Sequence, residues 1–205
     1  DNLIRNELNI NYFGRNSEEE VYFLEKNYSY INIEIILNLI QENKCVPFLK
    51  DNSFIKNNIN NLHIRLKKKA EIEFLNSIKL SLLTSEISTY LTSNRIKHLI
   101  LKGIPLSKKI YDEIAMRGGG DLDIFIDSKD IKRALNLLYK EKFVIIKNSF
   151  PSKVNSNRFN YSKWVDNEIT LTRKRKNCID YIDIHWRINN NSAGLPSFSE
   201  AWKSK

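Results

Sequence analysis

Two aspartates, Asp121 and Asp123, stand one residue apart after three consecutive glycines, in the segment MRGGGDLDIFI. Alternate residues of a β-strand point to the same face, so the two carboxylates would project together. Adjacent carboxylates repel each other unless a cation or a shared proton stabilises them. Mg²⁺ suits such hard oxygen ligands and is usually bound by one or two carboxylates together with substrate phosphates. The pair therefore indicates a metal site that acts on a phosphorylated compound.

Glycines and cations surround this pair in the sequence. Four of the six glycines lie between Gly103 and Gly120. Glycine lets the backbone approach phosphate closely and donate N–H groups to it, so Gly119 is a candidate contact as well. Lys102 and Arg117 bracket the carboxylates and could neutralise phosphate oxygens. A solvent-exposed strand end and a solvent-exposed lysine would give the same sequence pattern without any function. The functional interpretation therefore depends on the motifs around it.

A third carboxylate is available in the later segment CIDYIDIHWRI. Within a strand there, Asp183 and His185 share one face, whereas Asp180 lies on the other. Asp183 completes a three-carboxylate cluster if its strand lies beside LDIFI, and Asp180 is the alternative third ligand. His185 would either act directly at the site or support Asp183 structurally, and the sequence leaves both roles open.

The elements that must position these residues differ along the chain. Residues 1–95 are predicted to be helical. Ser17 is a candidate N-cap for SEEEVYFLEKN, and INIEIILNLIQENK places apolar residues at helical spacing. A long helix from about residue 61 to residue 94 would pack through one apolar stripe. That stripe consists of Leu62, Leu66, Ala70, Phe74, Ile78 and Leu82.

Residues 96–205 alternate between strand-like and helix-like segments. HLILKG, LDIFI and FVIIK are predicted strands, IPLSKKIYDEIA a helix, and SKDIKRALNLLYKEK an amphipathic helix with Ser128 as its N-cap. Further strands are predicted for RFNYSKWV, EITLTR and CIDYIDIHWRI. The chain begins at Asp1 and stops within SEAWKSK, typical of a helix start, so we expect a truncated C-terminus. We predict a helical N-terminal region, 1–95, followed by a catalytic-type α/β domain, 96–205.

The charge and composition of the chain limit its partners and its cellular compartment. The net charge of +9 at pH 7 favours polyanionic partners such as nucleotides or RNA, although a solvated basic surface would give the same value. Cys45 and Cys178 have no metal-ligand spacing, which predicts free thiols in a reducing cytoplasm and argues against a zinc site. No apolar run approaches the roughly 18 residues of a membrane helix, so we predict no membrane partner.

Together these motifs resemble the DNA polymerase β-type nucleotidyltransferase superfamily, and more narrowly a family of poorly characterised bacterial nucleotidyltransferases. The shared elements are Leu-Lys-Gly, Tyr, Arg, Gly-Asp-hydrophobic-Asp and Asp-hydrophobic-His-Trp, which here are 101–103, Tyr111, Arg117, 120–123 and 183–186. The helical N-terminal part also has a counterpart, so the resemblance covers nearly the whole chain.

One departure from the superfamily pattern concerns the phosphate contact. Better-known members carry Gly-Ser after the first strand, and the serine contacts phosphate. Here Ile104 follows Gly103, so only backbone donors remain at that point. Lys102 would take over part of the serine's role.

The resemblance implies an α+β fold with a polymerase-β-like core and a small mixed sheet. It also implies an enzyme that uses two Mg²⁺ ions, with Mn²⁺ as the alternative, to transfer a nucleoside monophosphate from a triphosphate such as ATP. A hydroxyl acceptor would attack and pyrophosphate would leave. The metal ligands and catalytic residues would be Asp121, Asp123 and Asp183. The nucleotide-binding residues would be Lys102, Gly103, Arg117, Gly119, Gly120 and His185.

The acceptor stays open among a small molecule, a peptide or protein, and RNA. Related branches include toxins that add nucleotides to transfer RNA and antitoxins that nucleotidylate a toxin, so a toxin–antitoxin role is one alternative. A non-catalytic, basic RNA- or partner-binding module is another, and three intact carboxylates count against it. A glycosyltransferase also uses Asp-x-Asp, but it needs an upstream nucleotide-binding βαβ region where this chain has helices.

Overall fold

The fold is described from a computed structural model, which covers residues 32–116, 119–146, 166–188 and 194–204. The chain divides into two compact units after Lys69. Three features of the sequence prediction lie outside the described residues: Ser17 with its helix, Arg117, and the strand RFNYSKWV.

The described part of the first unit, residues 32–69, is helical. It contains α1 (Ile33–Glu42), α2 (Val46–Leu49), α3 (Ser53–Asn58) and the beginning of α4 (Asn60–Ser93). Asn32 and Asn52 precede α1 and α3, and each side chain accepts a backbone N–H from the first turn. Such caps satisfy donors that a helix start leaves unpaired. The buried apolar residues of this unit are Leu37, Ile40, Val46, Leu49, Ile55, Leu62 and Leu66.

The second unit is built on a mixed sheet. Its strands are β1 (His98–Ile100), β2 (Leu122–Ile126), β3 (Val144–Ile145), β4 (Glu168–Lys174) and β5 (Ile179–His185), in the order β1-β2-β5-β4-β3. Strands β2 and β5 are parallel, and the other pairs are antiparallel. The helices are α5 (Ile104–Tyr111), α6 (Ile131–Lys140) and α7 (Phe198–Lys203). This small mixed sheet with helices confirms the predicted α+β class.

The core of the second unit lies against one face of the sheet. Ile124 of β2 and Ile184 of β5 are fully buried there, together with Ile87 from α4 and Leu135 from α6. Because strand residues alternate between faces, this packing leaves the residues between them on the opposite face. Among the described helices, none has both the length and the apolar character needed to cross a membrane.

The apolar stripe predicted for α4 is correct only in its first half. Leu66 is buried, but Phe74 is 49% exposed and Leu82 is 67% exposed. A helix turns by about 100° per residue, so steps of four residues drift by about 40° each around the axis. Later along the helix, Leu83 and Ile87 therefore face the core instead.

Helix α5 ends earlier than the sequence suggested, at Tyr111 rather than near residue 115. Asp112 adopts a left-handed conformation with φ of 56°, which stops the helix. Aspartate tolerates this region better than most residues because its short side chain can bond locally. The Ser107 hydroxyl donates to the carbonyl of Glu113 at 2.7 Å, and Lys108 Nζ donates to the carbonyl of Asp112 at 3.0 Å.

Helix α6 begins later than predicted, and Ser128 is not its N-cap. The helix begins at Ile131, and its N-cap position is Asp130. The Asp127 carboxylate accepts the backbone N–H of Lys129 at 3.1 Å, and its carbonyl accepts from Asp130 at 2.9 Å. Aspartate often forms such a local turn. Because residues 127–130 form this turn, they are not available for a helix that begins directly after Ser128.

Candidate active site

Parallel pairing of β2 with β5 brings two aspartates together. Asp123 lies directly opposite Asp183 in the register, and Thr170 of β4 lies opposite Asp183 on its other side. Directly opposed residues share a face of the sheet, so these three side chains form a row away from the apolar core. The Leu101 N–H donates to the carbonyl of Asp123 at 3.1 Å, which places Lys102 beside the same row.

Asp123 is the centre of the cluster. One ligand atom from each of Asp123, Asp183 and His185 lies within 4.8 Å of the others. Asp123 is 6% exposed, and its Oδ1 is 2.9 Å from His185 Nε2. The same oxygen accepts a hydrogen bond from Lys102 Nζ, also at 2.9 Å. A single carboxylate oxygen is thus contacted by two nitrogen atoms, which provides the polar partners that a buried carboxylate requires.

His185 is held between two carboxylates. It lies opposite Glu168 of β4 in the register, and its Nδ1 is 3.0 Å from Glu168 Oε2. That pair is within ion-pair distance but is not aligned as a hydrogen bond. The carboxylate that His185 Nε2 contacts is Asp123, whereas the supporting role considered from the sequence was support of Asp183.

Asp183 lacks the neutralising contacts of Asp123. Its Oδ1 is buried and has no hydrogen-bond partner among the described residues. Burial raises the pKa of the Asp183 carboxyl above its ordinary value, and the nearby charges of Asp121 and Glu168 add to the increase. A hydrogen bond from Thr170 and the charge of His185 oppose this rise in pKa. The group is therefore a carboxylate that a cation would stabilise.

Lys102 brings a positive charge to this cluster through its contact with Asp123. Its side chain is half-exposed, and the hydrogen bond to Asp123 raises the pKa of the ammonium group. The charges of Asp121 and Glu168 raise that pKa further. The ammonium group thus offsets part of the negative charge of the cluster.

The donor set fits a divalent cation. Carboxylate oxygens are ligands for Mg²⁺ and Mn²⁺, and the unpartnered Oδ1 of Asp183 is the kind of buried atom that such an ion would satisfy. Within the described site, Asp123 and Asp183 could hold the ion, with His185 Nε2 close enough to orient Asp123 or to join them.

Asp121 stands at the edge of this group rather than inside it. It is exposed, lies just before β2, and is not one of the three residues whose ligand atoms meet. Its charge nevertheless acts on Asp183 and Lys102, as their raised pKa values indicate. The structure thus brings two of the three predicted carboxylates into contact distance, with the third beside them.

The glycines flank the same end of β2. Gly103 adopts φ of 68° and ψ of −134° at the N-terminus of α5, a conformation that residues with a side chain rarely take. A Cβ on Gly119 would be in ordinary contact with Leu80, whereas a Cβ on Gly120 would meet no atom within 4 Å. Gly103 is thus required by its backbone, while Gly120 borders open space beside the carboxylates.

Asp180, the alternative third ligand, takes no part in the cluster. It lies on the core-facing side of β5, where its Oδ2 is 2.7 Å from Arg173 Nη2 and 2.6 Å from Arg175 Nε. Arg173 also pairs with Glu86 of α4 at 2.8 Å. These contacts give Asp180 a structural role between the sheet and that helix.

Two residues of the site were missed in the sequence analysis, Glu168 and Thr170. Both lie in EITLTR, where the alternation of Glu168, Thr170 and Thr172 with apolar residues marks one polar strand face. That alternation was visible in the sequence. What the sequence did not provide was the pairing of β4 with β5, which brings this face beside Asp183 and His185.

A mixed sheet with paired aspartates on adjacent strands, a lysine-glycine turn and flanking helices is consistent with a nucleotidyltransferase, which is an enzyme class. A family model described as an uncharacterised nucleotidyltransferase matches residues 29–205. The chain therefore belongs to that family, which confirms the superfamily recognised from the motifs. No curated protein matches the chain in a sequence comparison.

Proposed function

We propose that the protein is a Mg²⁺-dependent enzyme that transfers a nucleoside monophosphate from a triphosphate to a hydroxyl acceptor, with release of pyrophosphate. The observation that supports this best is the register of Asp123 with Asp183 on parallel strands, where Asp183 Oδ1 is buried without a hydrogen-bond partner in the described part of the chain. Membership of the nucleotidyltransferase family supports the triphosphate as donor.

Asp123 and Asp183 would hold the metal, and Asp121 would contribute a ligand from the exposed end of β2. When bound, Mg²⁺ supplies a positive charge that stabilises the developing charge on the transferred phosphoryl group. Oxygen-rich ligation favours Mg²⁺, with Mn²⁺ as a substitute, over metals that prefer imidazole or thiolate. His185 would keep the Asp123 carboxylate oriented through its 2.9 Å contact.

Phosphate binding would fall to the lysine-glycine turn. Lys102 lies beside the cluster with a half-exposed side chain, so its ammonium group can contact a phosphate oxygen. Gly103 is the N-cap residue of α5. Apart from Pro105, which has no N–H, the first residues of this helix have N–H groups without an intrahelical partner, and such groups attract anions. Open space beside Gly120 leaves room for a phosphate group next to the backbone.

Asp183 would act on the acceptor. Its carboxylate would orient the hydroxyl group and accept the hydroxyl proton while the acceptor oxygen forms a bond to the α-phosphorus. The bond from that phosphorus to the bridging oxygen breaks in the same displacement, and pyrophosphate carries away the electron pair.

Asp123→Asn tests the proposal directly. The substitution keeps the shape of the side chain but removes the charge, so transfer should fall about 100-fold or more because the lost interaction acts mainly in the transition state. Each α-labelled nucleoside triphosphate would be incubated with Mg²⁺ and host extract, and the label transferred to any acceptor would be counted.

Asp51→Asn is the matched control, because it removes one exposed carboxylate from the first unit and should leave transfer unchanged. If the wild-type protein neither binds nor transfers any triphosphate but binds RNA in a salt-dependent manner, the protein acts as a binding module without this activity and the proposal fails.

A further inference from the structure

The face of the sheet that carries Asp123 and Asp183 continues beyond these carboxylates as an exposed surface. Strand residues two apart share a face, so Tyr181 lies on the same face of β5 as Asp183, about 7 Å along the strand. Tyr181 is 39% exposed, and Thr172 of β4 lies directly opposite it. Val144 of β3 lies opposite Thr172 on its other side and is 57% exposed. The carboxylate row is thus continuous with an open surface across three strands.

Exposed lysines lie at the end of this surface. Lys174 is on the same face of β4 as Thr172 and lies opposite Ile179, which is also exposed. Lys176 lies in the turn between β4 and β5, and Lys142 lies just before β3. Within the part of the chain that the structure describes, no carboxylate forms an ion pair with these three lysines. The aromatic–basic surface consists of these exposed residues: Tyr181, Val144, Ile179, Lys142, Lys174 and Lys176.

The lysines of this surface are too far from the carboxylates to act as their counter-ions. Thr170 lies opposite Asp183, and Lys174 is four residues further along β4, a distance of about 14 Å at about 3.4 Å per residue. Exposed charges more than about 10 Å apart are largely screened at an ionic strength of about 0.1 M. The charge of Lys174 is therefore available to an anionic ligand that extends from the carboxylate row.

The aromatic–basic surface lies on the side from which an acceptor must approach. Across the sheet, Lys102 follows β1, Asp123 lies in β2 and Asp183 lies in β5, and β4 and β3 come next. In an in-line displacement, the attacking oxygen and the leaving pyrophosphate are on opposite sides of the phosphorus atom. If pyrophosphate leaves toward Lys102, as the proposed function requires, the attacking hydroxyl approaches from the side of β4 and β3.

An exposed tyrosine ring next to lysines fits a single-stranded nucleic acid. Every nucleobase has a flat face that can stack on a tyrosine ring, and lysines bind the phosphate groups that link the nucleotides. In a duplex the base faces are covered by neighbouring bases, so the surface favours an unpaired strand. A small acceptor placed at Asp183 would not reach Lys174, because the two are about 14 Å apart along the strand direction.

We infer that the aromatic–basic surface binds the 3′ end of a single-stranded nucleic acid, and that this strand is the acceptor. The inference rests on the proposed function, because it assigns the second substrate of the same reaction. The oxygen of the 3′ hydroxyl forms a bond to the α-phosphorus, and its proton passes to Asp183. Pyrophosphate leaves with the electron pair of the broken bond, and the strand becomes longer by one nucleotide.

Tyr181→Ala tests the assignment, and Tyr181→Phe is its conservative control. Two pools of 5′-phosphorylated, random-sequence oligonucleotides, one of RNA and one of DNA, would be incubated with the full chain, Mg²⁺ and α-labelled triphosphates, with strands of about 12 nucleotides. The wild-type protein should lengthen strands of at least one pool, which identifies the acceptor as RNA or DNA. Tyr181→Ala should weaken binding of that pool about tenfold or more because a stacked base loses its platform. Tyr181→Phe keeps the ring and should stay within about twofold of the wild type.

Lys174→Ala tests the contact with phosphate. It should weaken binding of strands of any sequence, and it should reduce the slope of log affinity against log salt concentration by about 0.7, the value for one phosphate contact on a single strand. Lys79→Ala is the matched control, because Lys79 is exposed on α4, the helix whose Leu83 packs in the core on the other face of the sheet. This control removes the same charge and should leave the slope unchanged. Affinity for the Mg²⁺–triphosphate complex should stay within about twofold in all these variants.

Undiminished strand binding in both Tyr181→Ala and Lys174→Ala would overturn the inference. Binding of strands without their lengthening would also overturn it, as would labelling that persists on strands with a blocked 3′ end. If the wild-type protein transferred label only to small molecules or to proteins of a host extract, the inference would fail and the proposed function would stand. An absence of triphosphate binding by the wild-type protein would overturn both proposals.

Discussion

Asp123 and Asp183 differ in the polar and charged groups that contact their carboxylates. Asp123 has an ammonium and an imidazole nitrogen at 2.9 Å, so its negative charge is offset within the chain. Asp183 has one carboxylate oxygen with no hydrogen-bond partner among the residues that the structure describes, and burial raises its pKa. Asp123 is thus stabilised within the chain, whereas the neighbouring Asp183 is not. This arrangement is unfavourable for folding by itself and is typical of a site that binds a cation.

Asp183→Asn should therefore stabilise the metal-free protein at neutral pH. The folded pKa of Asp183 is raised, so the folded chain binds this proton more readily than the unfolded chain does. Stability is lost as the pH rises from the ordinary carboxyl range through the raised pKa. Since Asp183 is only partly buried, solvent screening limits the gain to about 1 kcal/mol, or about 2–4 °C in Tm.

Thermal unfolding at neutral and acidic pH, with metal removed by a chelator, measures this effect. The difference between Asp183→Asn and the wild type should be largest at neutral pH and should vanish below the ordinary carboxyl pKa. A variant that is less stable than the wild type at neutral pH would contradict the prediction. Asp51→Asn, which removes an exposed carboxylate, should show little change at either pH.

At the scale of elements, strand alternation gave more reliable predictions than helix periodicity. The two-residue repeat of LDIFI and CIDYIDIHWRI predicted which side chains of β2 and β5 point away from the core, as the register confirms. The four-residue repeat predicted for α4 drifts around the helix axis, so that Phe74 and Leu82 are exposed while Leu66 is buried. Local bonds of Asp112 and Asp127 set the end of α5 and the start of α6, and such bonds compete with helix propensity in ways that composition does not reveal.

The site residues that the sequence analysis identified are those whose pattern lies within a single strand. Asp123 and Asp183 were predictable because their own strands carry the motif. Glu168 and Thr170 reach the site only because β4 pairs with β5, and that neighbour relation depends on the tertiary fold. The domain boundary near residue 95 stays a prediction.

The turn between β1 and α5 gives a prediction at this scale. Gly103→Ala should destabilise the protein by about 1–3 kcal/mol, because φ of 68° with ψ of −134° is strained for any residue with a Cβ. The nearest side-chain atom to that Cβ would be Leu80 Cδ2 at 3.9 Å, so steric overlap is not the cause. Denaturant unfolding would measure the loss.

Gly120→Ala is its matched control. A Cβ there meets no atom within 4 Å, and its backbone is not in the left-handed region. The free energy of unfolding of this variant should lie within about 0.5 kcal/mol of the wild-type value, as for an ordinary surface substitution. Equal losses in the two variants would show that the backbone of Gly103 is not under the constraint inferred from its dihedral angles.

The net positive charge of the chain contrasts with the carboxylates gathered at its site. The chain has a net charge of +9 at pH 7, which attracts nucleoside triphosphates at long range. The site itself gathers carboxylates, and one of its nearby cations, Lys102, is already bonded to Asp123. A triphosphate that arrives alone therefore meets local repulsion, and a metal ion that arrives alone meets the ammonium group of Lys102.

These opposing charges predict that metal and nucleotide bind interdependently. Mg²⁺ would offset the carboxylates that repel the triphosphate, and the triphosphate would provide an alternative partner for Lys102, which frees Asp123 for the metal. Each ligand should therefore raise the affinity for the other about fivefold or more. In thermal unfolding, the Tm increase with both ligands should exceed the sum of the increases with each one. Asp123→Asn should remove this excess, a nucleoside without phosphates should not produce it, and additive shifts in the wild type would mean that the carboxylates and the triphosphate do not share one site.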